Sequence, residues 1–244
     1  MSAGTSANSV CVPPGKNPKA WFVNADYADD GPCGIDNAWG HLNSESNLAH
    51  LSSAEQTAVA KSGAWTLLVA VDGLSSGAQG GLTVRLYTAA PRSSPPAFDG
   101  SDIWSPVTWA GGGSVLASPA TWPAAYVTDD VLVATAPTQV FVSLRRSMAG
   151  AYPMWLQNAA LVLRLSPDRS RVVWGFLAGI MTAGQLVADL CPSLNPPEKQ
   201  LFGDVPIPPG AALCSGVSVA IGLTAGRASL GDPTTMPQPQ PCQK

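Results

Sequence analysis

The chain has 244 residues, 13 of them basic and 16 acidic, for a formal net charge of -3; 24 are glycine and 23 proline. Only 12% are charged, against roughly 25% in a typical soluble domain, while 45% are hydrophobic. These figures exclude a charge-rich disordered chain, a coiled coil and a basic nucleic-acid binder, and leave a β-rich domain punctuated by Gly and Pro.

Residues 1–20 are polar and Pro-rich and read as a flexible tether. The first ten carry neither a basic n-region nor an apolar h-region of a signal peptide. Residues 24–37 form an acidic loop. Ser52 followed by Glu55 is a capping box, which predicts a helix from about Ser53 to Lys61, closed by Gly63 in the left-handed conformation. Ala64–Val71 is an apolar run of strand length, and Leu82–Thr88 alternates. The two predict a hairpin with a long loop. Pro91 to Pro106 is irregular. Short strands are expected at Val115–Leu116 and Ala125–Val127, and clearer ones at Val131–Thr135, Gln139–Arg145, Ala159–Leu165 and Arg171–Leu177. Pro167-Asp168 marks the turn between the last two. Thr182 can cap a second helix over Ala183–Leu190, and Val217–Leu223 is the expected final core strand. The expected organisation is a tether (1–20), one β-rich domain (21–230) and a Pro/Gln-rich tail (231–244). The fold class is mainly β, a β-sandwich or jelly roll with two short helices and long loops. No stretch approaches about 18 uninterrupted apolar residues, so no transmembrane segment is expected.

The five cysteines load the two ends: Cys11 and Cys33, then Cys191, Cys214 and Cys242. No pair has the C-x-x-C spacing of a zinc or redox motif. Pairings Cys11–Cys33 and Cys191–Cys214 would staple the termini, although Cys242 could replace any of the four.

Four constellations bear on chemistry. Gly73-Leu74-Ser75-Ser76-Gly77 matches a nucleophile elbow in letters. A strand rather than a helix follows it, and both histidines, His41 and His50, precede it, so it reads as a turn. The histidines are nine apart, which does not suit a helical metal pair. Asp26, Asp29, Asp30 and Asp36 with two asparagines are hard oxygen donors on a Gly-containing loop, a candidate Ca²⁺ site whose alternative is turn formation. Trp104, Trp109 and Trp122, near Asp99 and Asp102, are candidates to stack on sugar rings, with core packing as the alternative. Asp99, Asp129, Asp130 and Glu198 are carboxylates available to glycoside hydrolysis, though no spacing pairs them.

The phrases Gly34-Ile35-Asp36-Asn37-Ala38-Trp39-Gly40, Gly63-Ala64-Trp65-Thr66-Leu67-Leu68-Val69, Asp72-Gly73-Leu74, Val84-Arg85-Leu86-Tyr87, Phe98-Asp99-Gly100 and Cys214-Ser215-Gly216-Val217-Ser218-Val219 occur in this order. So ordered, over roughly residues 30–230, the chain resembles an uncharacterised group of bacterial secreted proteins and lipoproteins. The resemblance implies an extracellular or cell-envelope location and a β-rich domain, and no catalytic residues. The chain departs from that pattern in its first residues, which show no signal peptide and no lipid-attachment cysteine.

The expectation is therefore a non-enzymatic secreted or cell-envelope protein with a binding or structural role. A glycan or envelope protein is the expected partner, with no certain cofactor. The alternatives are a secreted polysaccharide hydrolase and a calcium-stabilised adhesion or glycan-binding module.

Overall fold

A computed structural model describes residues 53–111, 114–116, 120–135, 139–146, 150–182, 205–206 and 214–237. Helix α1 (Ser53–Lys61) has the expected bounds, with Glu55 in its first turn and Lys61 in its last, as the helix dipole favours. Gly63 stops it at a φ of +79°. A Cβ there would lie 2.8 Å from the Ser94 carbonyl oxygen, so both backbone angle and space demand glycine. Ser52, the expected cap, lies outside the described residues. So does the expected second helix over 183–190: α1 is the one helix among the described residues, and Thr182 ends a strand instead.

The strands are β1 (Leu67–Asp72), β2 (Gln79–Thr88), β3 (Ile103–Trp104), β4 (Val107–Gly111), β5 (Ser114–Leu116), β6 (Ala120–Thr128) and β7 (Val131–Thr135). After them come β8 (Val140–Arg146), β9 (Gly150–Leu165), β10 (Arg171–Thr182), β11 (Val205–Pro206), β12 (Cys214–Gly226), β13 (Ser229–Leu230) and β14 (Thr234–Pro237). Nine of them form one curled antiparallel sheet in the order β1-β2-β6-β7-β9-β10-β12-β11, with β8 pairing β9 off that path. The expected β1–β2 hairpin is present, Leu67 opposite Thr88 through Asp72 opposite Thr83. Strand β14 is a difference, because Thr234–Pro237 were read as tail. It runs parallel to β4, and β13 parallel to β3.

Side chains alternate across a strand, so one face of the sheet collects the apolar set. Val84, Trp122, Val127, Leu132, Leu161, Leu163, Leu177 and Met181 are buried in one cluster. The sheet curls where β9 bends. Asn158 has a φ of +51°. Gln157 pairs Ile180 and Ala160 pairs Ala178, so Asn158 and Ala159 together face Gly179, a β-bulge. Beyond that bend the first half of β9 pairs only with β8. Val140, Val142, Leu144, Met154 and Leu156 of that hairpin close over the inner face against α1 and β2. The bend frees the Ala159 carbonyl, and the buried Trp122 indole N–H donates to it at 3.1 Å. Trp122 is thus both the largest buried side chain and the partner of the sheet's least regular backbone group.

A second bulge lets β6 carry a proline. Val84 pairs Trp122 and Leu82 pairs Ala125, so Pro123 and Ala124 together face Thr83, and the missing N–H of Pro123 breaks no regular ladder. Asp129 and Asp130 close the β6–β7 hairpin with φ of 48° and 58°, the left-handed pair of a type I′ turn. The β9–β10 turn is built by Asp168, which accepts from the Ser166 hydroxyl and from the Ser170 hydroxyl and N–H. Those bonds, Ser166 first, hold its carboxyl down to about 2. Its folded pKa lies below the roughly 3.9 of an unfolded aspartate. Its contribution is therefore full above that value and is lost as pH falls through about 2. An NMR titration of the Asp168 carboxyl should give a midpoint near 2, and a midpoint near the unfolded value would contradict this turn geometry.

Candidate functional site

The sequence-selected residues do not converge. Trp104 is 3% exposed and Trp122 0% exposed, so neither presents a ring face to a ligand. Trp104 lies under Arg92, whose guanidinium carbon is 5.0 Å from the ring centroid. Arg92 also forms an ion pair of 3.1 Å with the buried Asp102, which in turn accepts from the N–H groups of Ala97 and Phe98. Trp109 is half-buried and meets Phe141 edge-on at 5.8 Å. Trp104 and Trp122 thus fill separate gaps in the packing, while Trp109 is held half-buried against Phe141.

The Gly73–Gly77 segment is the β1–β2 loop. Gly73 and Gly77 each take a φ of +80°, and Gln79 donates to the Ser75 hydroxyl at 2.7 Å. Arg169 ties the loop to the β9–β10 turn by donating to Gln79 at 2.8 Å and to the Gly77 carbonyl. Ser75 has a turn role, as read. Asp99 is an exposed turn carboxylate, held below the ordinary range by hydrogen bonds from the Ser101 hydroxyl and N–H. Asp129 and Asp130 are the adjacent residues of one turn and do not face each other across a cleft.

Asp26, Asp29, Asp30, Asp36, His41, His50 and Glu198 lie outside the described residues, as do Cys11, Cys33, Cys191 and Cys242. Cys214 opens β12, and no disulfide occurs among the described residues. No group of three His, Cys, Asp or Glu side chains among the described residues could hold a metal ion. No helix among them is long and apolar enough to cross a membrane.

The structure brings other residues together on the outer face of the sheet. In β10, Val172 pairs Leu165 and Ala225, whereas Trp174 pairs Arg164 and Gly175 pairs Leu163 and Leu223. Val173 is therefore an extra residue, a bulge. Val173 and Trp174 both point outward, 49% and 41% exposed, and Gly175 takes the next inward position. A Cβ on Gly175 would lie 2.6 Å from the Val162 carbonyl oxygen, so only glycine lets the strand return to register there. The bulge thus re-aims Trp174 onto the surface.

Trp174 then stacks on Phe176, ring centroids 6.4 Å apart and planes 14° from parallel. Phe176 heads a row of cross-strand partners. Opposite it on β9 is Val162, then Val133 on β7, then Tyr126 on β6, which is 44% exposed. On the other side its partner is Gly222, where an added Cβ would meet nothing within 4 Å. One neighbouring row is Thr135, Ala160, Ala178 and Ala220, small side chains that leave the aromatic row standing above them. The other row is Thr128, Val131, Arg164 and Trp174 itself, with polar groups from Thr128 and from Arg164, which donates to the Asp129 carbonyl.

The result is a flat apolar strip with two exposed aromatic rings and one cationic edge. It can hold a ligand that has a flat apolar face and polar margins. Sequence reading selected Trp104, Trp109 and Trp122 and passed over Trp174. The available signal was Gly175 inside an otherwise apolar strand, a mark of a bulge. Compared with protein-family models, with curated proteins and with solved structures, the chain matches none.

Proposed function

We propose that this protein is a non-enzymatic glycan-binding domain of the cell envelope or extracellular space, and that it binds saccharide chains along the outer face of the sheet. The observation that carries the reading is the near-parallel Trp174–Phe176 pair, raised above a row of alanines by a bulge that only Gly175 permits. A pyranose ring has an apolar C–H face and hydroxyls around its edge. The first suits the exposed face of the Trp174 ring, braced by its near-parallel neighbour Phe176, and the second suits Arg164 and Thr128 at the fringe. A neutral chain also fits a protein with only 12% charged residues. In this reading the main sheet and the β8–β9 hairpin act as the two layers of a sandwich-like fold, whose free face does the binding.

Among the described residues, Asp99 and Asp168 accept local turn bonds and Asp102 is paired with Arg92, which supports binding over hydrolysis. The test is tryptophan fluorescence titrated with a panel of soluble neutral oligosaccharides. The expected result is a saturable change with at least one of them and no release of reducing ends. Gly222→Gln adds a side chain into open space beside Phe176 and should weaken that binding about tenfold, the loss of roughly one ring contact. No saturable change with any member of the panel would overturn the reading, and released reducing ends would favour the hydrolase alternative.

A further inference from the structure

The segment after β12 crosses to the small sheets and lies along the stretch from Ile103 to Ala110. Ser229 pairs Ile103, Leu230 pairs Trp104, and Thr234–Pro237 pair Val107–Ala110, all parallel. The Ser229 N–H donates to the Asp102 carbonyl at 2.8 Å, that of Gly231 to the Trp104 carbonyl at 2.8 Å, and that of Thr234 to the Pro106 carbonyl at 2.9 Å. Parallel strands usually have both faces covered. Here Leu230 is 47% exposed, Ser229, Thr234, Thr235 and Pro237 are exposed, and only Gly231 and Met236 are half-buried. The segment is held mainly by its main chain. It is joined to the end of β12 through the exposed residues 227–228.

One position gives this pairing a size limit. A Cβ on Gly231 would lie 3.0 Å from Ile103 Cγ2 and 3.3 Å from Ser105 Oγ, so a larger side chain there must push these two side-chain ends aside or move the strand off β3. The outer edge is blunted. With the Thr234 N–H turned toward β4, alternation turns that of residue 236 the same way, and Pro237 falls where its missing N–H faces away from β4.

We propose that residues 103–110 form a strand-acceptor site for an extended peptide, and that residues 229–237 of a second copy can take it in place of the chain's own. Main-chain hydrogen bonds supply the affinity, as in strand addition generally, and the crowding at Gly231 favours a small residue at that position. The second copy is the partner whose register and glycine already fit, and exchange through residues 227–228 would close a symmetric dimer.

The test uses the full chain and a labelled synthetic peptide with the sequence of residues 229–237. Gly231→Val should lift the chain's own segment from β3, and Thr234→Pro should remove the N–H given to Pro106. Both variants should bind the peptide saturably. The wild type should bind it at least about tenfold more weakly, because its own segment competes at high effective concentration. In sedimentation the wild type should populate a dimer as concentration rises, and Gly231→Val should remain monomeric. Peptide binding by neither variant, or equally by the wild type, would overturn the proposal. Loss of the cooperative melt in both variants would do the same, since the segment would then be part of the fold's framework. A wild type that stays monomeric at every concentration would overturn the exchange.

Discussion

Replacing Trp122 by alanine is expected to cost about 5 kcal/mol of unfolding free energy, the upper end for a large aromatic in a core. Two terms add. The indole is 0% exposed among residues of β2, β6, β7 and β9, so its removal leaves a cavity that the curled sheet cannot close. It also leaves the Ala159 carbonyl, at the bend in β9, without the N–H that reaches it at 3.1 Å. The second term is isolated by Trp122→Phe, which keeps much of the bulk and should still cost about 1–3 kcal/mol for the unsatisfied acceptor. Trp65 provides the contrast. It is 6% exposed, and its Nε1 has no hydrogen-bond partner among the described residues. Trp65→Phe removes an unsatisfied donor along with some area, so it should cost clearly less than Trp122→Phe. Urea unfolding of the three variants checks the order. Equal losses for the two Trp→Phe variants would remove the bend from the argument.

Gly175→Ala is expected to cost about 3 kcal/mol, the upper end for overpacking a fitted core. The new Cβ would lie 2.5 Å from Leu163 Cδ2 and 2.6 Å from the Val162 carbonyl oxygen. The first atom ends a side chain and can turn away. The second is backbone, and it moves only if the ladder between β9 and β10 gives. The relief available to β10 is to lose the bulge, and a one-residue slip turns outward residues inward. Trp174 should therefore leave the surface in this variant, seen as reduced quenching of its fluorescence by iodide. Gly222→Ala is the control. It meets nothing within 4 Å, so its stability should stay within about 0.5 kcal/mol of wild type. A Gly175→Ala chain as stable as the Gly222→Ala chain would contradict the bulge as the device that presents Trp174.

Local signals made the regular elements legible. Helix α1 follows from Glu55, Lys61 and Gly63, whose preferences act within one turn. Strand β7 matches its expected bounds because Val131–Thr135 is a local apolar run that directly follows the tight Asp129-Asp130 turn. Strands β9 and β10 run past their expected ends, to Gly150 and Thr182, because partners distant in sequence rather than local pattern extend them. Strands β3, β13 and β14 were illegible for a related reason. They are short, parallel and held by main-chain bonds, so side-chain alternation leaves no trace there.

The site was less legible than the fold. Trp104 and Trp122 share composition and setting with a binding tryptophan in sequence, and only tertiary packing puts them inside, Trp122 within the curled sheet and Trp104 against Leu68 and Ala89 beneath Arg92. Trp174 lies in a run, Val172-Val173-Trp174-Gly175-Phe176, whose parity is reset by one residue. Reading it outward requires knowing that Val173 is the extra one, which the pairing with both β9 and β12 fixes and the sequence does not.

The most direct test is Trp174→Ala measured twice on the same preparation, once by thermal melt and once by retention on the saccharide that binds the wild type. The side chain is 41% exposed and outside the buried core, so stability should change by less than about 1 kcal/mol, a shift of roughly 2–4 °C in Tm or less. Retention should fall about tenfold or more as the stacked pair is lost. A fall in Tm well beyond that range with retention unchanged would contradict the account, because Trp174 would then be a packing residue and the outer face of the sheet would not be the binding surface.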